Sequence, residues 1–324
     1  MKRYIYLTAA LLLFATGCNK NSRELSGIPI KLSVSLENAT KATHLSPDNI
    51  NELDCIIRDQ IDGSYSYSNT RFLKNGNIWE PETKMLWSSH NTVVDMLFLS
   101  PCLAERDIWI TDNGSSPMFS WEIESVQTAD SYASDLLMSL QMNSCPNITA
   151  YSGVIGVSFK HAMSLLTINV ELGTEFNVPS IPADSPIQSL SVGGLKLKGD
   201  YYSIWTAWAG SNLWRGLNLV PRSGSEGNVQ AYPLSWTPAA NAEGHCTAVY
   251  ECIILPQSGS GMEINVRTGN REFAFTPTLD PSFTFEAGKS YVFNLKVGKN
   301  LASMNSVTIY DWNSGAYISS KETD

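Results

Sequence analysis

Residues 154–172 (VIGVSFKHAMSLLTINVEL) constrain the fold more than any other part of the chain. Val157 and Phe159 point one way, and Ser158 and Lys160 the other. Further on, Leu166, Ile168, Val170 and Leu172 alternate with Thr167, Asn169 and Glu171. A period of two marks a half-buried strand. Phe159 and Leu166 have opposite parity, so the register must break between them. Residues 160–165 (KHAMSL) therefore form a bulge, a tight corner or a short helical turn. The run lies near the middle of 324 residues, with about one domain's length on either side.

The same pattern recurs. Ile30, Leu32, Val34 and Leu36 alternate with Lys31, Ser33 and Ser35, the cleanest strand in the first hundred residues. Residues 53–61 read as a strand. Residues 93–99 (VVDMLFL) are nearly all apolar, which suits a buried central strand. Residues 130–142 lean to an extended segment after a turn. Strand signals follow at 187–197, interrupted by Gly193-Gly194, and at 249–255, 291–297 and 307–312. Turns are expected at Asn75-Gly76 and, as a hairpin, about Gly269-Asn270. With 16% charged residues, 22 Gly and 15 Pro, strands recurring every 8–15 residues predict an all-β protein of two sandwiches. The division expected is a leader at 1–17, a linker and first strand at 18–45, and sandwiches at 46–150 and 151–324.

The leader carries the most specific short signal. Met1-Lys2-Arg3 is basic, residues 7–15 are apolar, and Ala15-Thr16-Gly17 run into Cys18. This is the pattern of an exported lipoprotein acylated at Cys18. The apolar run is too short to span a bilayer, and no later stretch reaches 18 apolar residues, so the expectation is a lipid anchor rather than a span. Cys55, Cys102, Cys145, Cys246 and Cys252 remain, an odd number with no CxxC. Buried free thiols are the simplest reading, and no pairing among them is assigned. A formal net charge of -9 argues against nucleic acid as a partner.

Catalytic signatures are missing. There is no GxSxG, HExxH or P-loop, and His44, His90, His161 and His245 are scattered. Glu122 and Glu124 share a strand face, and they read as solvated surface charge. His161 reads as a hydrogen-bonding residue rather than a ligand. No cofactor and no enzymatic activity are expected. One aromatic cluster competes for attention: Tyr201, Trp205 and Trp208, with Tyr202 and Trp214. It either packs in a core and hairpin or forms a platform for sugar rings. A surface carbohydrate-binding lipoprotein is therefore the alternative function, and a secreted hydrolase a weaker third.

Several short motifs occur in a fixed order: the lipobox at Cys18, residues 40–43 (TKAT), Asp135-Leu136-Leu137, residues 157–164 (VSFKHAMS), 254–257 (ILPQ), 287–291 (AGKSY), and Asp311-Trp312. Together they resemble the fimbrillin family of Bacteroidales, pilin-like lipoproteins of the Mfa-like type. The resemblance covers most of the chain. It implies two transthyretin-like β-sandwich domains in series, export to the outer membrane and cell surface through a lipid anchor, and assembly with other fimbrial subunits. It also implies a trypsin-like cut after a basic residue beyond the first strand, release of that strand, and its replacement by a strand from a neighbour. Ile30, Leu32, Val34 and Leu36 fit the removable strand, and Lys41 is the nearest basic residue after it. Residues 307–324 are either a donor segment or the last strand of the second sandwich. Stalk, tip and anchor roles stay open.

Overall fold

The computed structural model describes residues 29–36, 50–59, 67–87, 93–103, 118–129, 133–144, 154–208, 211–298 and 302–312. The chain is all-β with two sheet-rich bodies, as expected. The first body is built from β1 (Lys31–Leu36), β2 (Glu52–Asp59), β3 (Tyr67–Asn75), β4 (Ile78–Pro81) and β5 (Val94–Ser100), with β7 (Leu137–Ser144) and β8 (Val154–His161). They close into one sheet in the order β1-β4-β3-β2-β5-β7-β8. Its interior holds Leu32, Leu53, Phe72, Phe98, Val157 and Phe159, all buried. The β3–β4 hairpin turns at Gly76-Asn77, one residue past the expected Asn75-Gly76, with Gly76 at φ +65.

The second body is an eight-stranded sheet, with a short separate pair formed by β15 (Gln257–Ser258) and β18 (Thr284–Phe285). Its strands are β9 (Ser164–Leu172), β10 (Ile187–Lys196), β13 (Glu226–Thr237), β14 (Cys246–Ile254), β16 (Glu263–Thr268), β17 (Arg271–Phe275), β19 (Lys289–Val297) and β20 (Ala302–Asp311). Their order is β17-β16-β10-β13-β14-β9-β19-β20. The β16–β17 hairpin turns at Gly269-Asn270, where it was expected. The break at Gly193-Gly194 is a bulge in β10. Gly194 sits at φ +72, and a Cβ there would lie 1.9 Å from the Gly261 carbonyl oxygen, so only glycine fits.

The corner expected in 160–165 joins these bodies. β8 pairs within the first sheet and β9 within the second, and Ala162-Met163 carry the chain across. β8 alternates as the sequence does, with Ile155, Val157, Phe159 and His161 buried, whereas β9 is buried at all of its first five residues, Thr167 included, and alternates only from Ile168 on. β5 is buried along its whole length because both its faces are covered. Met96 and Phe98 fill the first interior, whereas Leu97 and Leu99 join the core that includes β9, β14 and β19. That double burial is why its sequence reads as a continuous apolar run rather than an alternation.

A third, three-stranded sheet spans both halves of the sequence. A long ribbon, β11 (Lys198–Trp208) and β12 (Ser211–Pro221), is paired at its base with β6 (Phe119–Glu122). The segment after β6 reaches the second body. There the Gln127 side chain accepts from the Ile253 N–H at 2.7 Å and donates to the Ile253 carbonyl at 2.8 Å, replacing a strand's ladder bonds. At the ribbon base, Arg222 donates to both carboxylate oxygens of Asp200, and Ser120 donates to Asp200 at 2.6 Å.

Burial pushes the Asp200 carboxyl up, but the bonds from Arg222 and Ser120 outweigh it and hold it below its ordinary value of 3.8. A depressed folded value means that this contribution to stability is complete above the ordinary value and lost as pH falls through the lower one. Stability of the parent should therefore fall more steeply below about pH 4 than stability of Asp200→Asn, measured by urea titration across acid pH.

Candidate functional site

β1 is the strand that closes the first sheet. Along its whole length it runs parallel to β8, with Lys31 opposite Val154 and Leu36 opposite Phe159. On its other side it meets β4 at one register pair, Leu32 with Trp79. A bridge between Pro29 and Leu86 and a 2.9 Å bond from the Ile30 N–H to the Met85 carbonyl extend that contact. β8 and β4 are neighbours of β1, not of each other, so β1 alone completes the ring between them.

The alternation read from the sequence now has a physical use. Ile30, Leu32 and Leu36 are buried, at 2%, 0% and 8% exposure, and Val34 is half-buried against the same core. Opposite them on β8 stand Ile155, Val157 and Phe159, all buried. Burying each large aliphatic side chain stabilises by about 2 kcal/mol, so apolar contact is the main force that seats this strand. The outer side is polar and loose. Ser33 faces Gly156, Ser35 faces Ser158, and the Ser35 hydroxyl donates to the Val157 carbonyl at 3.3 Å.

Lys31 forms an ion pair, its Nζ 2.6 Å from Glu80, which also accepts from Asn75 at 3.0 Å. The Lys31 bond, then the Asn75 bond, holds the Glu80 carboxyl below its ordinary value. Both side chains are partly exposed, so solvent screens the pair and it adds little to the seating of the strand.

Chemically, the arrangement is a groove filled by a strand of its own chain. With β1 in place, the β8 backbone is paired and the apolar pockets are full. Without it, a row of β8 donors and acceptors and an apolar trough would both be open, the combination that takes up an added strand. Among the described residues no group of three or more His, Cys, Asp or Glu side chains could hold a metal ion.

The other residues singled out by sequence are scattered. Cys18 and Lys41 lie outside the described residues, as does Cys145. Cys55, Cys246 and Cys252 are buried free thiols, and Cys102 is a half-buried one. Tyr201 is buried, at 3% exposure, with its ring stacked on Phe119 at 4.7 Å, so it is no part of an exposed platform. Trp205 and Trp208 lie in β11, and their side chains are outside the description. Residues 307–311 form the end of β20, paired with β19.

The sequence missed one feature of the site's surroundings. His161, at the end of β8, is hydrogen-bonded through Nδ1 to Asp135 Oδ1 at 2.8 Å, and both side chains are buried. Its ring stacks on Trp312 at 4.0 Å and 10°, just past β20. The motifs around Asp135, His161 and Trp312 thus meet at one point, where the strand that backs β1 abuts the second body. Nothing in their spacing announces this, because the three residues are brought together only by the tertiary fold.

A family model described as fimbrillin-like matches residues 40–312. A candidate cell adhesion protein from Bacteroides uniformis shares the fold with a TM-score of 0.58 at 14% identity, covering 88% of this chain and 98% of that one. A second such protein, from Bacteroides ovatus, gives a TM-score of 0.54 at 12% identity over 88% and 97%. A fimbrial protein from Bacteroides vulgatus gives a TM-score of 0.50 at 12% identity over 88% and 99%. No curated protein matches the chain.

Proposed function

The chain belongs to the fimbrillin-like family, and on that footing we propose that it is a structural, non-enzymatic subunit of a cell-surface fimbrium whose first strand is a removable plug. In this reading Cys18 is acylated after export and tethers the chain to the outer membrane. Proteolysis after Lys41 then frees β1, and a strand from another subunit takes its place. The two sandwiches divide at Ala162-Met163, where sheet membership changes, with β1 as part of the first.

The observation that carries this reading is the position of β1. It is the terminal described strand, it lies between two strands that have no other partner on that side, and it is seated by apolar pockets. Residues 37–49 alone join it to the rest of the chain on its C-terminal side. One cut there leaves β1 attached only by non-covalent contacts. A second β-strand of matching pattern can then compete for the same backbone bonds.

Limited trypsin digestion of the unlipidated chain tests it. The expected result is an early cut after Lys41, read by intact mass, followed by separation of the β1 fragment from a body that keeps its far-ultraviolet β spectrum. A cut chain that holds β1 through gel filtration in mild urea would count against a removable plug.

A further inference from the structure

The groove under β1 also specifies what can refill it. Its inner wall along β8 is apolar, with Ile155, Val157 and Phe159 buried beside the strand, and Trp79 on β4 adds its ring together with one buried indole N–H that has no partner among the described residues. A polar side chain pointing inward at the Val34 or Leu36 position would lie beside Val157 or Phe159, where its burial costs more than the lost apolar contact alone. The outer wall is permissive, because Gly156 has no side chain and Ser158 is exposed. It has one preference. Glu80 stands beside the position of Lys31, at 2.6 Å. The requirement is thus a strand with aliphatic residues at four alternate positions and a basic residue between the first two, as in Ile30-Lys31-Leu32-Ser33-Val34-Ser35-Leu36.

Residues 302–324, which contain the candidate donor segment 307–324, meet this in no register. Val307 and Ile309 can occupy neighbouring pockets, but Asn305 then fills the one before and Asp311 the one after. The other parity brings Thr308, Tyr310 and Trp312 inward. Further on, Ala316 and Ile318 are flanked by Ser314 and Ser320. The segment is also already engaged: β20 is paired to β19 from Ala302 to Asp311, and Trp312 is buried against His161.

Resting on the strand-exchange reading above, we infer that the groove takes its strand from a different subunit, one with the aliphatic alternation and basic residue just described, and not from residues 302–324 of a second copy. The chain is then an acceptor for a foreign strand and does not polymerise through this tail. Once cut, it stays monomeric until that partner is supplied.

Peptide competition on the trypsin-cut chain, freed of its β1 fragment, tests this. The probe is a fluorescent peptide of residues 29–37, followed by anisotropy. Unlabelled competitors are the same peptide, its Leu32→Ser form, and peptides of residues 303–314 and 312–324. The expected order is full displacement by 29–37, about tenfold weaker displacement by the Leu32→Ser form, and none by either tail peptide in large excess. Displacement by a tail peptide at the concentration effective for 29–37 would overturn the inference and leave strand exchange standing. Failure of the labelled 29–37 peptide to bind at all would overturn strand exchange itself, and the inference with it.

Discussion

Leu32→Asp should eject β1 from its groove while the rest of the chain stays folded. Leu32 is fully buried between Ile155 and Trp79. The substitution removes an aliphatic contact and buries a carboxylate among apolar side chains, with no more than the Trp79 indole N–H on the paired residue to offset its desolvation. The two effects together should weaken β1 docking by about 3–5 kcal/mol, enough to raise its undocked population roughly a thousandfold. The damage should stay local, since β1 precedes the other strands and the second core does not include it. Residues 29–41 should then be cut rapidly by protease in an otherwise resistant chain. Ser35→Asp is the control: that side chain is exposed, and stability should change by no more than about 0.5 kcal/mol. If Leu32→Asp leaves the cleavage rate unchanged, the burial of this face of β1 is wrong.

The second large effect belongs to the junction. His161→Ala should destabilise the chain by about 3–5 kcal/mol in urea denaturation at neutral pH. It strips the buried Asp135 of its partner and opens a cavity beside the Trp312 ring. Asp135 Oδ2 has no hydrogen-bond partner among the described residues, so none of them stands ready to replace the lost bond. Asp135→Asn should cost much less, because the amide keeps the side chain's shape and a hydrogen bond with the His161 ring. The junction also joins the bodies, with the Ala162 N–H bonded to the Leu136 carbonyl and the Gly288 N–H to the Met163 carbonyl. Loss of His161 should therefore also split a single unfolding transition into two. A single transition with unchanged midpoint would show that the pair contributes little.

How much was legible in the sequence follows from how local each signal is. Side-chain alternation is written residue by residue, so the inward faces of β1, β8, β9 and β19 could be read directly. So could the hairpin at Gly269-Asn270, where a positive φ needs glycine. The inward set Ile30, Leu32, Val34 and Leu36 came from this signal alone. Strand partners are another matter. Alternation says which face is buried but not which strand lies alongside, and the parallel pairings of β1 with β8 and of β9 with β19 link distant parts of the chain. The roles of Glu80 beside Lys31 and of Trp312 over His161 were invisible for the same reason. Tyr201 shows a second limit. An aromatic on a strand reads the same whether it faces solvent or a core, and only the docking of β6 on β11 decides that it is covered.

The central claim, that β1 is a detachable plug rather than a fixed member of its sheet, is tested most directly by hydrogen exchange at the β8 amides. Val154 to Phe159 are opposite β1, while the parallel ladder of β9 with β19 is an internal reference in the other body. The account predicts that the β8 amides bonded to β1 are protected in the intact chain and exchange about a hundredfold faster or more after the cut at Lys41, while β9 and β19 keep their protection. Unchanged protection of β8 in the cut chain would contradict it, and β1 would then be an ordinary structural strand.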